Sequence, residues 1–275
     1  MDKKPEERLM KARDGIEIFM TRNLIDRPKA VILIVHGICE HSGRYDYTAS
    51  RFNDWGYSVY RFDLRGHGRS GGQRGYVESY ELFIDDTDMV VNAARQENPN
   101  LPIFLFGHSM GGFISVAYGI KHQDHLSGLI HSGAAVMVPP AVKDLGGGFD
   151  YNAIALSPVP NSLSNMISRD PNVVKAYDDD PLVLKEFTMK LMGEIFIHGV
   201  NWVLKNIGSY RYPCLILHGG DDQIVSSEAS QNLYDQIAST DKQIKIYDGL
   251  YHEILNEPEK ETVLADIHQW IEARI

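Results

Sequence analysis

The chain has 275 residues, 43% of them hydrophobic, 10% aromatic and 23% charged. That composition excludes a disordered, collagenous or low-complexity protein, and the length suits one large domain or a core carrying an insertion. A net charge of −10 argues against nucleic acid as the main partner, because binding phosphate needs a basic surface.

The two cysteines, Cys39 and Cys214, cannot build a disulfide framework. No apolar run approaches the roughly 18 residues of a membrane span. The start, Met1-Asp-Lys-Lys-Pro-Glu-Glu7, lacks the apolar segment of a signal peptide. The expectation is a cytoplasmic protein.

Along the chain, Val31–Val35 is wholly apolar and rich in β-branched residues, as a strand buried on both faces should be. Similar runs follow at Tyr57–Phe62, Pro102–Phe106, Gly128–Ile130 and Cys214–Leu217. Gln243–Tyr247 alternates, which places it nearer a sheet edge. Helical patterns lie between them at Arg44–Trp55, Tyr80–Arg95, Gly112–His122, Ser227–Ala238 and Glu259–Ile275. Strands alternating with helices predict an α/β fold, a mostly parallel sheet with helices on both faces.

The alternation stops at about Ala134 and resumes after Ile207. The expected division is a core of residues 1–133 and 207–275 with a helical cap at 134–206. No strand is expected inside the cap, and Pro181–Asn206 reads as helical, with Phe187, Leu191, Ile195 and Trp202 recurring at steps near 3.6.

Gly107-His-Ser-Met-Gly111 fits Gly-x-Ser-x-Gly between a predicted strand and a predicted helix. This is the setting of a nucleophile elbow, in which a tight turn leaves no room for side chains beside the serine. Ser109 is thus the candidate nucleophile. It needs a base and an orienting carboxylate, which follow it in chain order in this architecture.

Of the histidines, His252 and His268 follow every plausible acid. His268 lies within a predicted helix, whereas His252 follows the last strand, where sites assemble in open α/β sheets. His252 is the candidate base. The acid is Asp221 or Asp222, adjacent after the Cys214–Leu217 strand, and spacing alone does not choose. The loop His36-Gly37-Ile38 follows the first buried strand. The N–H of Ile38, with that of Met110, would form an oxyanion hole.

The stretches His36-Gly-Ile-Cys-Glu-His-Ser-Gly-Arg-Tyr45, Asp63-Leu-Arg-Gly-His-Gly-Arg-Ser70, Leu105-Phe-Gly-His-Ser-Met-Gly-Gly112, Tyr177-Asp-Asp-Asp-Pro-Leu182, His218-Gly-Gly-Asp-Asp-Gln-Ile-Val225 and Ile246-Tyr-Asp-Gly-Leu-Tyr-His252 together carry a family resemblance. The chain resembles the monoacylglycerol lipase/lysophospholipase group of α/β-hydrolases, also grouped with the serine aminopeptidase-like hydrolases.

The resemblance implies an α/β-hydrolase core with a cap. It implies a serine ester hydrolase acting on single-chain lipid esters and needing no cofactor. The family pattern His-Gly-x-x-Asp-x-x-Val puts the acid on Asp222. The resemblance also places Glu40, Arg44 and Tyr177 near the polar head of the substrate; the alternative for the first two is a salt bridge bracing the oxyanion loop. Two cysteines of mammalian members are Leu184 and Val225 here, so thiol-directed inhibition does not carry over.

Met137, Met166, Met189 and Met192 all fall within the cap. Flexible, polarisable Met189 and Met192 are candidates to line an acyl channel, and the cap is the part expected to touch membranes or micelles transiently. Two further patterns are set aside. Gly66-His-Gly-Arg-Ser-Gly71 mimics a dinucleotide fingerprint but opens into further glycines rather than a helix. His36, Cys39 and His41 lack a second ligand pair at metal spacing, so no metal is expected.

Overall fold

The computed structural model describes residues 4–139, 142 and 149–275. An eight-stranded sheet forms its centre, in the order β1-β2-β4-β3-β5-β6-β9-β10. The strands are β1 (Glu6–Lys11), β2 (Glu17–Asn23), β3 (Ala30–Val35), β4 (Tyr57–Phe62), β5 (Ile103–His108), β6 (Gly128–Ser132), β9 (Cys214–Gly219) and β10 (Lys242–Tyr247). From β4 to β10 every pairing is parallel, while β1 and β2 add antiparallel at one edge. The α/β fold class stands as expected.

All six residues of β3 are fully buried, and their side chains alternate between two cores. Val31, Leu33 and Val35 join one face with Phe113, Ile114 and Val116. Ala30, Ile32 and Ile34 join the other with Phe52, Leu264 and Ile267. The flanking helices are α1 (Asp46–Asp54), α2 (Glu81–Glu97), α3 (Met110–Lys121), α8 (Glu228–Gln236) and α9 (Lys260–Glu272). Burial on both faces explains why these strands read as unbroken apolar runs. β10 is the far edge, and its outward residues are exposed.

Between β6 and β9 the described chain forms β7 (Pro158–Pro160), α4 (Ser164–Ile167), α5 (Pro171–Asp179), β8 (Glu186–Thr188), α6 (Met189–Gly193), a π-helical turn at Glu194–Gly199, and α7 (Val200–Asn206). Here the structure departs from the expected pattern. β7 and β8 pair antiparallel, so the segment does contain strands, and 181–188 is not helical. Phe187 points from β8, and its agreement with the helical period is accidental. The N-terminal hairpin β1–β2 was also unread. β1 is charged and largely exposed, as an edge strand should be.

Candidate active site

Three parallel strands end at the same edge of the sheet, and the loops leaving β5, β9 and β10 carry Ser109, Asp222 and His252. Ser109 joins β5 to α3 with φ 54° and ψ −116°, a conformation that costs a non-glycine residue on the order of 1–3 kcal/mol. Its surroundings hold it there. Its N–H donates to the Ser132 carbonyl at 2.9 Å, and its own carbonyl accepts from Phe113 at 3.0 Å and Ala135 at 3.1 Å.

The flanking glycines are needed for space. A Cβ on Gly107 would overlap the Gly111 carbonyl oxygen, and one on Gly111 would overlap the Val35 carbonyl oxygen. The elbow is therefore packed directly on the end of β3. Met110 opens α3, so its N–H has no intrahelical acceptor.

Asp222 is the aspartate that meets the histidine. Its Oδ2 accepts from His252 Nδ1 at 2.6 Å, and the carboxylate is fully shielded from solvent. His218 Nε2 lies 3.0 Å from the same oxygen, while Oδ1 accepts from the N–H groups of Ile224 at 2.8 Å and Val225 at 3.0 Å. Burial pushes its pKa up, but the His252 charge and these donors outweigh burial and hold it far below the usual carboxylate range. Asp221 is exposed.

Burial likewise works against a charged His252, yet the Asp222 carboxylate raises its pKa above the ordinary histidine value. With Nδ1 donating to Asp222, Nε2 is the ring's free acceptor. The other candidate, His268, stacks on Trp55 with ring centroids 4.5 Å apart and bonds Tyr57 Oη at 2.8 Å. It belongs to the outer face of α9.

The loop after β3 lies against the serine. A Cβ on Gly37 would sit 3.1 Å from that of Ser109, and Ile38 follows directly. Glu40 fixes this loop: its Oε1 accepts from the Gly37 N–H at 2.6 Å and from Tyr45 Oη at 2.8 Å. Arg44 bonds Glu40 at 2.8 Å and Glu253 through two contacts of 2.5 and 2.6 Å. Both side chains are thus engaged with other groups of the protein.

Tyr177 is buried on α5 against Ile167 and Val183. Its hydroxyl accepts from Asn161 at 2.7 Å, and the Arg44 guanidinium sits 4.8 Å from its ring centre. Met192 is buried and Met189 half-buried on α6.

Sequence reasoning passed over several groups that the fold brings here. Glu253 pairs with Arg44 directly beside the histidine, and Arg44 holds its pKa down at about 2 against the effect of burial. His108 packs its ring 4.7 Å from that of His252 and is kept neutral by burial, with a pKa near 4. His218 Nε2, bonded to the Val225 carbonyl at 2.9 Å, also lies 3.0 Å from Asp222 Oδ2. Glu253 and His218 adjoin motifs already singled out, but nothing in spacing tells which way they point.

The two patterns set aside have structural roles. His36 Nε2 accepts from the Leu64 N–H at 2.9 Å, so its Nδ1 carries a proton, donated to the Gly37 carbonyl at 2.7 Å. Neither nitrogen is left for a metal. Gly66–Ser70 curls under Asp63, which accepts from Ser42 and from the Arg69 N–H.

Elements from the other side of β6 close over the site. The Leu184 N–H donates to the Cys39 carbonyl at 2.8 Å and His41 bonds Asp180 at 2.9 Å on the oxyanion side. The Glu253 N–H donates to the Ile167 carbonyl at 2.8 Å and Arg169 meets Glu257 at 2.9 Å on the histidine side.

A strained serine between two obligate glycines, at the edge of a mostly parallel sheet and beside a buried aspartate–histidine pair, defines the α/β-hydrolase class. Residues 26–259 match the family model described as serine aminopeptidase, S33. The chain belongs to this family and is an ester hydrolase. It is 37% identical over 248 residues to a monoacylglycerol lipase of Mycolicibacterium smegmatis, covering 89% of this chain and 88% of that one. Phospholipase YtpA of Bacillus subtilis is 33% identical over 245 residues, covering 86% and 93%. The solved monoacylglycerol lipase of Paleococcus ferrophilus superimposes with a TM-score of 0.80 at 30% identity, over 94% of this chain and all of that one. Among the described residues no helix is long and apolar enough to cross a membrane.

Proposed function

We propose that the protein hydrolyses monoacylglycerol to fatty acid and glycerol by two-step acyl transfer at Ser109. His252 takes the Ser109 proton through Nε2 as the oxygen attacks the ester carbonyl. Asp222 holds the ring in the required tautomer and balances the imidazolium. The N–H groups of Ile38 and Met110 receive the oxyanion. The imidazolium then gives its proton to the departing glycerol, and water repeats the sequence on the acyl-enzyme. No cofactor enters these steps. The buried Asp222–His252 pair beside the strained elbow carries this reading, and the monoacylglycerol lipases among its relatives direct the choice of substrate.

The cap-and-core division of the sequence reading, 134–206 against the rest, serves as the working assignment of lid and catalytic domain. Met189 and Met192 would border the acyl chain. Glu40 and Arg44 act on the substrate indirectly, by fixing the Ile38 loop, and Tyr177 closes that brace from the cap. Exposed Ile154 and Leu156 supply an apolar contact with a micelle or membrane carrying the ester. Two buried, unpaired cysteines suit a reducing, cytoplasmic setting. The phospholipase relative favours a second reading, cleavage of lysophospholipids at the same serine.

A panel of monoacylglycerols, lysophospholipids and short aryl esters tests the assignment. The highest kcat/KM is expected for a monoacylglycerol. A lysophospholipid ranking at least tenfold above it would establish the second reading, and preference for short aryl esters alone would contradict both.

A further inference from the structure

Far along α3 from the serine elbow, a second group of side chains converges. Asp88 on α2 faces His122, which caps the end of α3, and His125 just beyond it. Asp88 Oδ1 lies 3.6 Å from Nδ1 of each histidine, and the three candidate ligand atoms fall within 4.8 Å of one another. A tetrahedral ion bound at about 2.0–2.1 Å places its ligand atoms roughly 3.4 Å apart, so two edges of such a tetrahedron are already nearly formed.

His122 Nδ1 stands 3.6 Å from Asp88 Oδ1, beyond hydrogen-bond distance, so this nitrogen is open to ligation. Nε2, buried without a hydrogen-bond partner, points away from the cluster and takes no part in it.

We propose that Asp88, His122 and His125 bind one divalent transition-metal ion of the zinc class, with solvent at the remaining position. Two nitrogens and one carboxylate favour zinc over magnesium or calcium, which prefer all-oxygen shells. The surroundings are prepared for it. The Tyr118 hydroxyl donates to Asp88 at 3.0 Å and orients the carboxylate, and it also bonds His125 Nδ1 at 3.2 Å, a contact that the ion would replace. The His122 ring stacks on Tyr118, centroids 4.7 Å apart.

The ion would clamp α2 to the far end of the helix that begins at the nucleophile. The pair His122-x-x-His125 is present in the sequence, but its third partner comes from another helix, so spacing alone does not reveal the site.

The test uses the full chain freed of metal with a chelator and titrated with Zn²⁺ by calorimetry and with Co²⁺ by visible absorption. One equivalent of Zn²⁺ should bind with a Kd of about 1 µM or tighter. Cobalt should give a visible d–d band, and Mg²⁺ and Ca²⁺ should give no saturable heat. Saturating zinc should raise Tm by about 5 °C. His125→Ala and Asp88→Asn should each weaken zinc at least tenfold. His125 is partly exposed, so its removal leaves no core cavity, and unchanged ester hydrolysis certifies the fold; His125→Gln serves if the alanine variant does not fold. A zinc affinity no tighter than about 1 mM in the native chain would overturn the proposal. So would full-affinity binding retained in the variants, which would place the ion elsewhere.

Discussion

The serine elbow is buried, whereas much of the segment that covers it is exposed, and the two are held in different ways. Ser109, Asp222 and His252 leave three neighbouring or near-neighbouring strands whose register fixes their heights, and the elbow glycines admit no other backbone path. The cover is made of two three-residue strands, short helices and a π-turn. It reaches the oxyanion and histidine loops through separate polar ties such as Leu184–Cys39 and Arg169–Glu257. On the proposed assignment, chemistry sits where the backbone is over-determined, while substrate choice falls to a region whose individual contacts can be exchanged.

That contrast predicts that substitutions at the strand ends abolish turnover on every ester, whereas substitutions in the cover re-rank esters. The largest effect is at the nucleophile and base. Ser109→Ala and His252→Ala should each lower kcat on the order of 10⁶-fold, and the double variant little more, because such residues act as a unit. Steady-state rates on a short and a long ester check this, and a Ser109→Ala enzyme keeping a tenth of the native rate would break the assignment.

Next comes the carboxylate. Asp222→Asn should cost about 10⁴ in kcat, while exposed Asp221→Asn should cost less than tenfold. The pH profile sharpens this. Asp222 raises the pKa of His252, and the base must be neutral. So kcat/KM should rise with pH through an ionisation above the ordinary 6.5 of histidine. In Asp222→Asn that acid limb should move to lower pH, since the charge that favoured the imidazolium is gone.

A smaller effect is expected at the brace. Arg44→Met leaves Glu40 and Glu253 buried without their cation, which should cost about 3–5 kcal/mol of stability by denaturant titration. The same unpaired carboxylates favour a protonated His252, so the acid limb should shift to higher pH. A raised KM for monoacylglycerol with an unmoved limb would instead make Arg44 a head-group ligand.

The smallest effect belongs to the cover. Met192→Trp should lower kcat/KM for a long-chain monoacylglycerol about tenfold more than for an acetyl ester. Equal losses on both, accompanied by a fall in Tm, would reduce Met192 to packing.

How much of this was legible in the sequence follows the same division. β3, β5 and β9 are buried on both faces, so each reads as an apolar run whatever its partners, and the serine motif needed only its strand and helix to be found. The choice between Asp221 and Asp222 was not legible from spacing, because adjacent residues of a loop face different ways; family resemblance supplied it, and in the structure Asp222 Oδ2 lies 2.6 Å from His252 Nδ1. β1 escaped notice because an edge strand carries its charges outward. β7 and β8 are too short to show a period. Glu253 was unread because its partner, Arg44, is distant in the chain; His218 stands only four residues before Asp222, but which way the two side chains turn depends on the fold of the loop.

The central claim, that Ser109 is the reacting nucleophile activated by His252, is tested most directly by fluorophosphonate labelling followed by peptide mass analysis. A single adduct is predicted, on the peptide containing Ser109, absent in Ser109→Ala and strongly slowed in His252→Ala. An adduct on any other residue, or none on a preparation that hydrolyses esters, would contradict it.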